Sequence, residues 1–232
     1  MPSPSSPNQL LAALSADDLA LLAPDLTSVD LALRQRIEEP DQDIPHAYFV
    51  TAGIVSVVAR STGHESIEAG VIGHEGMTGA AIVMANHRSP NETFVQLEGA
   101  AQRIDADKLR AAMTRSTDLT SLLLRYVHVF NTQVAHTALA NGRANIEERL
   151  ARWLLMVDDR IDGHEANLTH DFIALMLGVR RPGVTDALHT LEGKNMIRST
   201  RGAVRIVDRE RLQSLAGGTY GVPESEYRRL IG

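Results

Sequence analysis

A chain of 232 residues, 44% of them hydrophobic, can bury a core and suits two modest domains better than one large one. It has no cysteine, which excludes disulfides, thiolate zinc sites, cysteine-held iron–sulfur clusters and a cysteine nucleophile. The net charge of −6 hides an asymmetry: residues 1–142 carry 9 Lys and Arg against 16 Asp and Glu (−7), and residues 143–232 carry 14 against 13 (+1).

No apolar run reaches the roughly 20 residues of a membrane helix, and MPSPSSPNQL lacks a basic segment followed by an apolar one. A soluble, cytoplasmic protein without a membrane partner is therefore expected. The first eight residues, rich in Pro and Ser, are expected to be disordered. From Asn8 to about Leu22 the apolar spacing predicts one or two short helices, with Ser15 as the N-cap of the second. Three runs of strand character follow: YFVTAGIVSVVAR at 48–60, SIEAGVI at 66–72 and ETFVQLEGAAQRI at 92–104. Gly53 is expected at a bend or bulge in the first.

A long helical stretch is predicted from near Asp105 to about Asn141. Leu119, Leu122, Tyr126, Val129, Gln133 and His136 form one stripe on it, and Leu123, Val127, Phe130 and Val134 a second. Two stripes want two partners. Either one domain covers both, or a second copy of the chain takes one of them across a two-fold axis. His128 and His136 read as polar interface or surface positions rather than metal ligands. Another helix, NIEERLARWLLMVDDR, is expected after Gly142, followed by the turn-rich IDGHEAN.

The segment from Leu168 to Val207 carries the most chemistry. Thr169 is placed to cap a short helix, HDFIALML, and Gly178 offers the positive φ of a tight helix-to-helix turn. Pro182 then marks the first turn of a second helix, where a missing N–H costs nothing. In that helix Val184, Leu188 and Leu191 share an apolar face. Thr185, Asp186 and His189 point away from it, with Arg180 and Arg181 at its open N-terminal end. A docking face opposite a polar face is what a helix needs to enter the major groove, where an arginine guanidinium donates twice to guanine. Two short strands, MIRST and AVRIVD, follow as a hairpin whose Arg198, Arg201 and Arg205 suit phosphate contacts. Between Gly178 and Arg205 six bases, Arg180, Arg181, Lys194, Arg198, Arg201 and Arg205, face only Asp186 and Glu192. Such a local patch can bind duplex DNA on an acidic protein.

RLARWLLMVDDR at 149–160 and the whole run from Leu168 to Asp208 resemble the C-terminal domain of the Crp/Fnr superfamily. Upstream, AYFVTAGIVSVV and VIGHEGMTG are similar to its β-roll. The resemblance implies an α+β fold: a jelly-roll β-roll sensor over 1–106, a dimerisation helix over 107–142 and a winged helix-turn-helix over 143–232. It implies a homodimer reading a pseudo-palindromic operator in double-stranded DNA, with contact to RNA polymerase. By family position Arg181 reads a base, while Thr169 and His170 meet phosphate. Where members carry Glu and a second Arg in the recognition helix this chain has Pro182 and Asp186, so its operator should differ.

Gly73, Glu75, Arg88 and Ser89 occupy the positions nearest the family's nucleotide cassette, but His74 separates Gly73 from Glu75 and the spacing to Arg88 differs. A cyclic nucleotide is therefore not expected. Nor is haem, since a lone loop histidine such as His74 or His87 is ordinarily a polar surface residue. The effector is left open. No phosphate loop, zinc-protease pattern or nucleophile elbow is present, so an enzyme is not expected. The competing reading is a ligand-binding or protein-interaction module of the same fold that has lost DNA binding.

Overall fold

The computed structural model describes residues 7–63, 65–161, 165–200 and 202–232, with Asn167 described by its backbone alone. Asn8 and Ser15 cap two short helices, α1 (Gln9–Ala12) and α2 (Ala16–Leu22), each accepting from a backbone N–H three residues on. Strands β1 (Thr27–Leu31), β2 (Arg36–Glu38), β3 (His46–Arg60) and β4 (Ser66–Ile72) follow, then the short helix α3 (Ala80–Val83) and strand β5 (Glu92–Asp105). They build one antiparallel sheet in the order β1-β5-β3-β4, with β2 also on β5. The three expected runs are β3, β4 and β5. β1, β2 and α3 were not anticipated.

Gly53 bends β3, with φ at 81° and register shifts on either side of it. A Cβ there would stand 2.5 Å from the Leu97 carbonyl oxygen, so only glycine fits.

The predicted long helix is two helices, α4 (Ala106–Arg115) and α5 (Thr117–Arg143). Ser116 separates them in extended conformation, φ −133° and ψ 118°. Its Oγ accepts from Leu119 N at 3.1 Å and donates to Asp18 Oδ1 at 2.5 Å, so a cap tied to α2 replaces one helical turn. Along α5, Leu119, Leu122, Tyr126, Val129 and Gln133 are buried, as are Leu123 and Val127. Gln133 exchanges two hydrogen bonds with the backbone of Val71, at 2.7 and 3.2 Å, and Tyr126 donates to the Met77 carbonyl at 3.0 Å. Members of both predicted stripes therefore pack within the chain, Leu119, Leu122, Leu123, Tyr126 and Val127 in one cluster with Leu10, Leu22 and Phe49, and Phe130 against the sheet. A third line stays open, on which Leu124 and Leu139 are each 46% exposed.

The rest of the chain is α6 (Ile146–Asp158), β6 (Glu165–Asn167), α7 (His170–Leu177), α8 (Arg181–Gly193), β7 (Ile197–Thr200), β8 (Ala203–Ile206), α9 (Arg209–Ala216) and α10 (Val222–Leu230). β6 adds a third strand to the expected hairpin, in the order β6-β8-β7. The two halves share a core: Ile54 and Val71 of the sheet pack in one cluster with Leu150, Trp153, Ile173, Met176 and Leu188. Phe94 of β5 meets Phe172 of α7 edge to face at 6.3 Å. Arg160 and Glu75 form an ion pair at 2.8 Å, and Tyr227 of α10 donates to the Glu75 carbonyl at 2.8 Å.

Candidate nucleic-acid interface

Thr169 caps α7 as expected, its Oγ1 accepting from Phe172 N at 3.2 Å. Ile173, Ala174, Met176 and Leu177 are buried, and Gly178 ends the helix at φ 60°. Arg180 is the N-cap of α8, and Pro182 lies in its first turn. Val184, Ala187, Leu188 and Leu191 form the buried face of α8. Arg180, Arg181, Asp186 and His189 are exposed, and Thr185 is half-buried. The polar face is thus open along the helix.

Short contacts knit the two helices together. His170 Nδ1 lies 3.0 Å from Thr185 Oγ1, and Arg181 Nε lies 3.3 Å from Asp171 Oδ1. The Arg181–Asp171 pair is well exposed on both sides, so it orients the guanidinium more than it stabilises the fold. Glu192 at the far end of α8 accepts from Ser199 N at 3.0 Å, fixing the helix to the hairpin.

On the hairpin Arg198 stands directly opposite Arg205 in the antiparallel register, and both are exposed. Neither has an ion pair among the described residues. Like charges facing each other across strands repel, but Arg205 also stands opposite Glu165 on β6, so Arg198 on the outer strand is the cation with no acid across from it. Arg201, the third expected wing cation, lies outside the described residues.

Gly73 and Glu75 are tied to each other and to Arg160, whereas Arg88 and Ser89 have other partners. A Cβ on Gly73 would lie 2.7 Å from the Arg160 side chain, and Gly73 N donates to the Glu75 carboxylate at 3.1 Å. Glu75 is in turn engaged by Arg160. Arg88 sits 3.9 Å from Asp43, and Ser89 Oγ accepts from Asn91 N at 3.1 Å. Among the described residues no group of three or more His, Asp or Glu could hold a metal, and no helix is long and apolar enough to cross a membrane. Arg160 escaped sequence reasoning, because its partner Glu75 is 85 residues away.

Residues 148–215, from α6 through the two helices and the hairpin into α9, match the Crp-like helix-turn-helix domain family. The C-terminal part of the chain is a Crp-like helix-turn-helix domain. The fold of the chain is similar to that of FixK2 from Bradyrhizobium japonicum, at 17% identity and a TM-score of 0.70, covering 83% of this chain and 98% of that one. A transcriptional regulator of the CRP family from Thermus thermophilus is similar at 18% identity and a TM-score of 0.69, covering 82% and 97%. The c-di-GMP responsive global regulator CLP of Xanthomonas campestris is similar at 13% identity and a TM-score of 0.63, covering 83% and 99%. No curated protein matches the sequence. The sheet precedes α5, and the Crp-like domain follows it with the polar face of α8 exposed.

Proposed function

We propose that the chain acts as a homodimer that reads a pseudo-palindromic operator, with Arg181 on a base edge and the hairpin arginines on phosphate. The observation that carries this reading is the open polar face of α8, headed by Arg180 and Arg181 and flanked by the opposed Arg198 and Arg205. Thr169 and His170 at the start of α7 suit the adjacent phosphates, and Thr185, Asp186 and His189 line the groove-facing side. The exposed line on α5 with Leu124 and Leu139 supports pairing with a second copy. Two recognition helices would then fall about 34 Å apart, one turn of duplex. Contact with RNA polymerase belongs to the same reading, and transcription of an operator-bearing template with and without the dimer tests it.

Selection of bound sequences from a random duplex library at two salt concentrations tests operator reading. A two-fold symmetric consensus is expected. Arg181→Ala should lose about 1–3 kcal/mol and relax one base position per half-site. Equal losses on every sequence would remove Arg181 from base reading, and no consensus at all would return the chain to a module without DNA specificity. No cyclic nucleotide is part of this reading, since Glu75 could reach a ribose only by giving up Arg160. Calorimetry with cyclic AMP and cyclic GMP is expected to give no binding heat.

A further inference from the structure

Where the N-terminal sheet abuts the Crp-like domain, five side chains from five elements converge. Ser56 of β3 is fully buried, its Oγ 2.7 Å from Glu68 Oε2 on β4, 2.6 Å from Gln96 Oε1 on β5 and 3.7 Å from Met176 Sδ on α7. Trp153 of α6 donates from Nε1 to the other Glu68 oxygen at 2.7 Å. Glu68 is 5% exposed and Gln96 1%, so solvent supplies no hydrogen bond here.

With the Gln96 amide oxygen turned to Ser56, the proton count at Ser56 sets the state of Glu68. A hydroxyl owns one proton and cannot satisfy two oxygens at once. With Glu68 ionised, Ser56 would face one of its two neighbours oxygen to oxygen, with no hydrogen between them. With Glu68 protonated, its O–H donates to Ser56 and Ser56 donates to Gln96, while the remaining Glu68 oxygen still accepts from Trp153. Every short distance is then a hydrogen bond.

We propose that Glu68 is a proton-operated joint between the sheet and the Crp-like domain, holding its proton while the two pack together and loosening them when it ionises. Burial pushes this carboxyl up from the ordinary 4.5 to about 7, against the hydrogen bonds from Ser56 and Trp153 and the charges of Arg152 and Arg160. Those two arginines, Arg152 of α6 and Arg160 just beyond its end, are the charged groups acting on it, and Ser56, Gln96 and Met176 face it uncharged from β3, β5 and α7. Arg160 is already paired with Glu75, and burial holds the Arg152 guanidinium down to about 10. The packed state binds the proton more tightly than the separated one. Its extra stability is therefore full below the ordinary 4.5 and is lost as pH rises through about 7, with the proton leaving to solvent.

Trp153 is the chain's one tryptophan, so its fluorescence reports on this joint without a label. The full chain, without DNA, is titrated from about pH 5.5 to 8.5. Trp153 emission should change with a midpoint near 7, and the change should vanish in Glu68→Gln, whose neutral amide preserves the contacts to Ser56 and Trp153. A flat wild-type profile overturns the joint and points to the rival arrangement, an ionised Glu68 with the Gln96 amide turned over to donate to Ser56. The same midpoint in Glu68→Gln also overturns it and assigns the change to another group. Should Glu68→Gln not fold, side-chain carboxyl carbon NMR of the unsubstituted chain decides: one glutamate titrating near 7 is expected, and none doing so refutes the idea. With no DNA present, the result is independent of operator reading.

Discussion

At Gly178 two constraints coincide. Its φ of 60° is one that side chains rarely adopt, and a Cβ there would stand 2.9 Å from Ile67 Cδ1 on the N-terminal sheet. The first constraint was legible, because a glycine between a Thr-capped helix and a Pro-started one reads as a turn. The second was not, since Ile67 approaches only after the two halves have packed. Gly178→Ala should therefore destabilise the chain by about 1–3 kcal/mol in denaturant titration, and an unchanged midpoint would mean that the turn relaxes freely. Glu68 shows the same limit from the other side. It reads as one of many strand acids, and only the packing of the two halves buries it, with Trp153, 85 residues on, donating to it.

Among elements, those with strong local punctuation were readable and those set by remote partners were not. α7 and α8 announce themselves through Thr169, Gly178 and Pro182, and β4 is bounded as the sequence predicts, from Ser66 to Ile72. β2 has three residues and α3 four, too few for a period to show. The break at Ser116 carries neither Pro nor Gly, and depends on Asp18 arriving from α2. The hairpin makes a prediction with two opposite signs. Removing the cation with no acid across from it by Arg198→Ala should raise stability by about 0.2–1 kcal/mol, while lowering the magnitude of the salt slope of DNA binding by about 1. Thermal melts and affinity at several salt concentrations check both. A loss of stability would show that the pair does not repel in the folded chain.

For the molecule as a whole, the order of sheet, long helix and helix-turn-helix was legible, because each part has its own period or motif. How the parts are fastened was not. The pairs Glu75–Arg160 and Glu68–Trp153, and the edge contact of Phe94 with Phe172, join residues that no sequence window holds together. The helices α9 and α10 also went unread, although Asp208 caps the first and Pro223 starts the second.

The Tyr227 hydroxyl on the Glu75 carbonyl brings the chain's last helix back to a loop of its first sheet. Mechanically this closes a circuit, so neither half can melt without tugging on the other, and heat should dismantle both in a single cooperative step. Ending the chain at Gly221 would open the circuit. Calorimetry of that shortened chain should then show a lower midpoint than the intact chain, while the core shared by Ile54, Val71 and Trp153 keeps the melting in one step.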